Sequence, residues 1–224
     1  MQTWSIEGKT VSLFPAAVPD APVLYLNTVA GEGPSIFQLL QDGGRPPFSL
    51  VSVSDLQWER DMAPWDCPAV FHNAPPFTGG ADAYLQLLTG RILPQAESRL
   101  CGTPAWRGIA GYSLAGLFAI YAIYETDPFS RVASMSGSLW FPGIRDYLLT
   151  HEPKCRPEHM YFSLGDKEHK TRNPLMRGNR QNTLDIQAFF QQQGIDTVFV
   201  SHRGNHFDHA AERTAAGLAW LLQA

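Results

Sequence analysis

The sequence predicts a three-layer α/β fold, in which helices cover both faces of a mostly parallel sheet of about eight strands. Short apolar runs bounded by polar, Gly or Pro residues alternate with segments of helical periodicity, and that alternation is typical of parallel sheets. The chain has 224 residues, of which 44% are hydrophobic, so it is long enough to bury a large core. Because the sequence shows no repeat or linker, we expect a single domain over residues 1–224.

The first two strand candidates predict an antiparallel hairpin at the N-terminus. Residues 3–6 and 10–13 flank Glu7-Gly8-Lys9, a connection so short that it can only join antiparallel neighbours. The later candidates are predicted to be parallel, and they lie at residues 23–27, 49–53, 108–111, 131–135, 160–164 and 197–201.

Three further segments carry apolar residues at helical spacing. Gly194 follows the second of them, where a glycine commonly caps the C-terminus of a helix. The residues that show the spacing are Tyr84, Leu87, Leu88 and Ile92 in the first segment, Leu184, Phe189 and Phe190 in the second, and Ala211, Leu218, Leu221 and Leu222 in the third.

Residues 55–80 have neither helical nor strand periodicity and are rich in Pro, Trp and Phe. A loop of this length inside a compact domain is usually functional. Two interpretations are open: the segment walls a substrate cleft, or it forms a satellite cluster that covers the core. The side chains available for either are Trp58, Arg60, Asp61, Trp65 and Phe77.

Charge and hydropathy argue against several classes of partner. The 17 basic and 21 acidic residues give a formal net charge of -4, and no Lys- or Arg-rich tract is present to follow a nucleic-acid backbone. The N-terminus lacks a basic region followed by an apolar run, and no stretch approaches the roughly 18 apolar residues of a membrane span. We expect a cytoplasmic protein with no nucleic-acid or membrane partner.

The cysteines are odd in number and form no C-x-x-C pair; they are Cys67, Cys101 and Cys155. This pattern argues against a disulfide framework and against a zinc site. We expect each cysteine to be a small packing residue rather than a reactive thiol.

Ser113 is the strongest candidate for a catalytic nucleophile. It follows the apolar run 108–111 and directly precedes a helical run at 114–122. A serine on such a sharp strand-to-helix turn needs small residues two positions before and two after it. Gly111 and Ala115 meet that need, although Ala115 departs from the usual G-x-S-x-G and the glycine comes one place later, at Gly116. The alternative is a serine that only caps the helix.

Backbone amides near Ser113 are candidates to stabilise an oxyanion. The N–H of Leu114 lies at the start of a helix, where unpaired donors and the helix dipole favour negative charge. A second donor is expected from the loop after residues 23–27, which makes Thr28 or Val29 the candidate.

His206 is predicted to be the general base. A serine hydroxyl needs a neutral imidazole within hydrogen-bond reach, and the loop after the last strand candidate holds three of the seven histidines. His202 adjoins the strand and His209 the helix, whereas His206 lies in mid-loop after the flexible pair Gly204-Asn205. We favour His206 over His209, with solvated loop histidines as the alternative.

The acid that orients the base is expected directly after strand candidate 160–164. Gly165-Asp166-Lys167-Glu168 supplies two carboxylates, and Glu168 is favoured because it lies three residues after the glycine and has the longer reach. Asp166 is the alternative, and the unused carboxylate would pair with a neighbouring lysine. The order of serine, acid and histidine is that of the α/β-hydrolases and differs from the chymotrypsin and subtilisin orders.

These motifs resemble those of α/β-hydrolases of the esterase-D type and are similar to those of bacterial trilactone esterases that open iron-chelating siderophores. The matching stretches are residues 111–119, 134–140, 164–168 and 204–206, together with 55–61 and Pro64-Trp65. The resemblance implies hydrolysis of a small carboxylic ester through an acyl-enzyme, with no metal or organic cofactor. Because some relatives use a Ser–His pair with a weak or absent third member, a dyad remains open for this chain.

Two features bear on the substrate. Trp140, after strand candidate 131–135, is placed either to line the acyl pocket or to pack in the core. A basic cluster follows the expected acid and would suit an anionic ester such as a catecholate chelate, or form solvated surface. The cluster consists of Lys167, Lys170, Arg172, Arg177 and Arg180.

Two other functions are compatible with the same residues. An acyltransferase would pass the acyl group from Ser113 to a sugar or lipid alcohol. A non-catalytic binding protein would keep the fold without the chemistry. The intact serine, acid and histidine positions favour a carboxylesterase.

Overall fold

The computed structural model describes residues 1–70 and 73–223. Eight of its strands form one sheet in the order β1-β2-β4-β3-β7-β8-β9-β10, and β5 and β6 form a separate pair. The strands are β1 (Gln2–Ile6), β2 (Lys9–Phe14), β3 (Val23–Asn27), β4 (Ser49–Ser54), β5 (Asp66–Cys67), β6 (Phe77–Thr78), β7 (Arg107–Tyr112), β8 (Arg131–Met135), β9 (His159–Gly165) and β10 (Asp196–His202).

Among the described strands of the large sheet, only β2 runs against the common direction. β1 pairs antiparallel with β2, and β2 pairs antiparallel with β4, whereas every later neighbour is parallel. The β1–β2 turn has positive φ at both central residues, 47° at Glu7 and 77° at Gly8, which is the backbone of a type I′ hairpin turn. The predicted mostly parallel sheet with an N-terminal hairpin is confirmed.

Helices cover both faces of the sheet. The helices are α1 (Gly33–Asp42), α2 (Trp58–Asp61), α3 (Ala81–Leu87), α4 (Leu93–Glu97), α5 (Leu114–Glu125), α6 (Ile144–Thr150), α7 (Pro174–Arg177), α8 (Asn179–Gln192) and α9 (Ala210–Gln223), and a π-helical turn at Leu88–Ile92 joins α3 to α4. All three predicted helical segments are present, and Gly194 follows α8 with a φ of 76°, as its expected capping position requires.

Side chains alternate along the strands between two apolar cores. Val23 and Tyr25 of β3 face the core beneath α3, α5, α6 and α8, whereas Leu24 and Leu26 face the core beneath α1 and α9. Because successive strand residues point to opposite faces, the almost continuous apolar runs of β3 and β7 follow from burial on both sides. The three-layer arrangement is thereby confirmed.

The segment at residues 55–80 serves both of the purposes considered for it; residues 71 and 72 lie outside the described part of the chain. Trp65 packs on the core, and its Nε1 donates to the Pro142 carbonyl at 2.9 Å. Asp61 does not wall a cleft, because it is buried and paired with Lys9 of β2. Trp58 and Phe77 do line clefts.

The three cysteines are free, and their environments differ. Cys67 is buried and Cys155 is half-buried, with its Sγ donating to the Phe129 carbonyl at 3.0 Å. Cys101 is exposed. The expectation that each is a packing residue is therefore wrong for Cys101, which lies in a surface connection before β7.

The turn between β7 and α5 depends on two glycines. A Cβ on Gly111 would lie 2.3 Å from the carbonyl carbon of Ala115, and a Cβ on Gly116 would lie 3.0 Å from the Cα of Gly137. α5 therefore contacts the end of β7 through backbone atoms. Ala115 is tolerated in the turn, and the second close approach is made by Gly116, one place later.

We predict that Gly111→Ala destabilises the protein by about 1–3 kcal/mol or more, because the added methyl overlaps the Ala115 backbone and forces α5 away from the sheet. Gly90→Ala is the matched control. A Cβ on Gly90 would meet nothing within 4 Å, so the same substitution there is neutral or slightly stabilising. Urea denaturation measures both, and equal effects at the two positions would contradict the close approach.

Candidate active site

Ser113 occupies the sharp turn between β7 and α5. Its φ and ψ are 59° and -122°, a backbone conformation that L-residues rarely adopt and that packing must impose. Its N–H donates to the Met135 carbonyl at 3.0 Å, and its carbonyl accepts from Gly116 and Leu117. These bonds tie the strained residue to the end of β8 and to the first turn of α5.

His206 lies in the loop after β10, with its ring against Ser113. Its Nε2 is 3.0 Å from Ser113 Oγ. The hydroxyl of Tyr112 donates to the His206 carbonyl at 2.7 Å, so the residue preceding the serine also holds the backbone of the histidine. Ser113 and His206, which are distant in sequence, are thus brought into hydrogen-bond contact.

Glu168 completes the hydrogen-bonded chain. Its Oε2 is 3.0 Å from His206 Nδ1, while its Oε1 accepts from Gly165 N at 2.6 Å and from Ser136 Oγ at 2.7 Å. Burial raises the pKa of Glu168, but the hydrogen bonds from His206, Gly165 and Ser136 outweigh it and hold the pKa below its ordinary value. The carboxylate is therefore ionised near neutral pH.

This charge fixes the roles of the two imidazole nitrogens. An ionised carboxylate can only accept, so Nδ1 of His206 carries the proton that points to Glu168. In the neutral imidazole Nε2 is then the acceptor, and it can receive the hydrogen bond from Ser113 Oγ. An imidazole in this tautomer can remove the serine proton as the hydroxyl attacks an electrophile.

Asp166, the alternative acid, lies in the same loop but contacts a different group. Its Oδ1 accepts from the backbone N–H of Gly204 at 2.8 Å, and that hydrogen bond holds the pKa of Asp166 below its ordinary value. Asp166 therefore links the acid loop to the start of the histidine loop, and the geometry places Glu168, not Asp166, at the imidazole.

The two competing histidines are placed away from Ser113. His202 ends β10, and its Nε2 is 3.2 Å from the hydroxyl of Tyr161 in β9; burial lowers the pKa of His202. His209 is largely exposed, and its Nδ1 is 3.8 Å from Glu212. The three histidines of this loop therefore differ in their contacts. His206, in the middle of the loop, is the one whose ring contacts Ser113.

The amide of Thr28 does not fit the oxyanion role expected for it. Its N–H donates to the Val53 carbonyl at 2.9 Å, and its Oγ1 donates to the same oxygen at 3.1 Å. Both donors of this buried residue are therefore used to join β3 to β4. Val29, the alternative, lines the cleft beside Ser113, and within residues 1–70 and 73–223 its N–H has no acceptor. Leu114 begins α5 next to the serine.

Three clefts meet at Ser113. The largest has a volume of about 360 Å³ and is lined by His206, Trp140 and Phe207 among others. A second, of about 150 Å³, is lined by Leu114, Trp58 and Phe77, and a third, of about 80 Å³, lies beside Val29 and Tyr112. Trp140 lines the first two clefts and also packs in the core against Phe77, with ring centroids 6.2 Å apart.

The basic cluster is divided by the structure. Lys167 and Lys170 line the largest cleft. Arg180 instead stacks over the Phe199 ring at 5.2 Å, and Arg177 donates to the carbonyl of Arg172 at 3.1 Å. Of the five residues in this cluster, Lys167 and Lys170 are therefore the two that can contact a molecule bound at Ser113.

The sequence reasoning missed Arg213, Ser136 and Tyr112, all of which contact the Ser113–His206–Glu168 group. Arg213 is buried in α9, and its Nη1 lies 3.3 Å from Glu168 Oε1. A single arginine among the Ala and Leu residues of an amphipathic helix was the available signal, since buried arginines need a partner. Ser136 and Tyr112 carried no such signal.

Metal-binding clusters and membrane-spanning helices are both absent from the part of the chain that the structure describes. Within residues 1–70 and 73–223, no three His, Cys, Asp or Glu side chains are grouped so that they could hold a metal ion. No helix in the same part of the chain is both long and apolar enough to cross a membrane.

Comparisons with known proteins show which family the chain matches. A family model described as "Putative esterase" matches residues 32–211. The chain is 23% identical over 216 residues to the uncharacterized protein YbbA of Bacillus subtilis (strain 168), with 89% of this chain and 85% of that protein covered.

Solved structures share the fold. The siderophore hydrolase EstA from Aspergillus nidulans superimposes with a TM-score of 0.75 at 16% identity, covering 99% of this chain and 94% of that one. An IroE-like serine hydrolase from Shewanella oneidensis gives 0.74 at 18% identity, covering 96% and 75%. The family match spans most of the chain and includes the serine, the acid and the histidine, and so this protein belongs to the esterase family, as a hydrolase of ester bonds with the α/β-hydrolase fold.

Proposed function

We propose that the protein is a serine carboxylesterase in which Ser113 is the nucleophile, His206 the general base and Glu168 the residue that orients the base. One observation carries this proposal: a continuous hydrogen-bonded chain joins Ser113 Oγ to His206 and His206 to Glu168, with 3.0 Å at each step. The strained backbone of Ser113 supports it, since such conformations concentrate at nucleophiles.

Acylation then proceeds with His206 moving one proton. Nε2 takes the proton from Ser113 Oγ as the oxygen bonds to the ester carbonyl carbon, and the negative oxygen that forms is stabilised by the N–H groups of Leu114 and Val29. The same proton passes to the departing alcohol as the ester C–O bond breaks. A water molecule then attacks the acyl-serine by the same route and releases the acid.

The substrate we propose is a small ester of the siderophore type whose alcohol portion occupies the largest cleft. His206 must protonate the leaving oxygen, and the largest cleft is the one of the three that includes His206 in its lining. Lys167 and Lys170 give this cleft positive charge, and Trp140 and Phe207 give it aromatic surface. The fold shared with siderophore hydrolase EstA supports the same class. A cytoplasmic location stays a prediction.

We predict that Ser113→Ala lowers kcat by on the order of 10⁴-fold or more while leaving the fold intact. A fluorophosphonate probe labels the wild-type serine, and the labelling is lost in Ser113→Ala and strongly slowed in His206→Ala, because the hydroxyl then lacks its base. Intact-mass spectrometry measures the labelling of the serine, and circular dichroism checks that each variant is folded. Equal labelling of wild type and His206→Ala would refute the assigned pair.

The two carboxylates of the acid loop form a matched pair. We predict that Glu168→Gln lowers kcat by roughly 10³- to 10⁴-fold, because an amide favours the wrong imidazole tautomer. Asp166→Asn keeps an oxygen that accepts from Gly204 and should change kcat by less than about tenfold. Hydrolysis of a short-chain aryl ester measures both. A larger loss in Asp166→Asn would exchange the roles, and small losses in both would indicate a dyad.

Charge on the leaving group tests the substrate class. For an aryl ester with a carboxylate on its alcohol portion, Lys167→Gln with Lys170→Gln should raise KM about three- to tenfold, and the effect should fall with added salt. The uncharged isostere of that ester and the control variant Arg180→Gln should show no change. If charged and neutral esters respond alike, the lysines do not bind the alcohol portion and the siderophore assignment loses its support.

A further inference from the structure

Arg213 is the most deeply buried charged residue that the proposed chemistry leaves unused. It lies in α9 with 2% of its surface exposed, and the other buried residues of that helix are small or apolar. Burying a guanidinium is unfavourable unless its donors are satisfied. Its Nε is buried without a partner in the described part of the chain.

The donors that are satisfied reach three separate pieces of the active site. Nη1 is 3.3 Å from Glu168 Oε1 and 3.2 Å from the Tyr112 hydroxyl. Nη2 donates to the carbonyl of Arg203, in the loop that carries His206, at 3.0 Å. One side chain of α9 therefore touches the acid, the residue before the nucleophile and the loop of the base.

These contacts act on the orientation of the acid. Oε1 of Glu168 is held by Arg213 together with Gly165 N and Ser136 Oγ, and Oε2 remains for His206. The planar guanidinium presents several donors in fixed directions. A carboxylate anchored through one oxygen in this way cannot rotate its second oxygen away from the imidazole.

The charge of Arg213 also reaches the base loop. Burial is the largest cause of the lowered pKa of His202, and the positive charge of Arg213 lowers that pKa further. The negative charge of Glu168 opposes both and raises the pKa of His202, but the net direction is downward.

We propose that Arg213 is a positioning residue, which fixes Glu168 and the Arg203 carbonyl so that the carboxylate and the imidazole of His206 meet in the productive geometry. It touches neither Ser113 nor the space that a substrate would fill, and it acts through Glu168. This inference rests on the proposed function, since it has meaning only if Glu168 orients the base.

The experiment is a double-mutant cycle. Arg213→Met should lower kcat about 10- to 100-fold, as for other residues that hold a catalytic group in place, with KM changed by less than about threefold. In a Glu168→Gln background the same substitution should lower kcat by less than about threefold more, because the group through which it acts is already lost. An equal factor in both backgrounds overturns the proposal.

Arg131→Met is the matched control for loss of a buried arginine. Arg131 is 9% exposed, donates to the Leu221 carbonyl near the other end of α9 and stacks on Trp106 at 4.0 Å. It should lower thermal stability without changing kcat per folded molecule. If Arg131→Met lowers kcat as much as Arg213→Met, general destabilisation explains both effects and the proposal fails.

Arg213→Lys covers the case in which Arg213→Met does not fold. A lysine keeps the charge but cannot reach Glu168 and the Arg203 carbonyl together, so kcat should fall to an intermediate value with KM unchanged. Wild-type kcat in Arg213→Lys overturns the proposal. Full activity of Ser113→Ala would instead refute the proposed function, so the two failures are distinguishable.

Discussion

The close approach of α5 to the end of β7 is the constraint on which the rest of the site depends. Gly111 has no room for a Cβ against Ala115, and the turn holds Ser113 at a φ of 59°. Because the backbone cannot relax without moving the helix, the serine hydroxyl stays raised at the carboxyl edge of the sheet. The same compression leaves the N–H of Leu114 at the start of a buried helix.

A second constraint is the buried charge of Glu168. A carboxylate with 7% of its side chain exposed must receive hydrogen bonds, and the fold supplies them from the backbone of Gly165, from Ser136 and from Arg213. These donors occupy one oxygen and leave the other for His206. The donors that stabilise the buried charge of Glu168 therefore also orient its carboxylate toward His206.

Loops rather than strands decide what can reach the serine. The segment between β4 and α3 places Trp58 over the site, while Asp61 in the same segment is buried against Lys9 and anchors the loop to the N-terminal hairpin. The sequence of this segment has no periodicity, because its residues make individual contacts and do not form one repeating buried face. For that reason periodicity could not separate its cleft-lining residues from those that only cover the core.

The sequence by itself determined the α/β class, the N-terminal hairpin and the candidates Ser113, Glu168 and His206, because strand burial, turn chemistry and chain order are local or periodic properties. Tertiary structure alone decided three features. Glu168 is the carboxylate that contacts the imidazole of His206, the Thr28 N–H donates to the Val53 carbonyl, and Arg213 contacts Glu168. Each depends on distances between segments far apart in the chain. Such distances are set by how α9 and the loops pack on the sheet, and no local pattern encodes them.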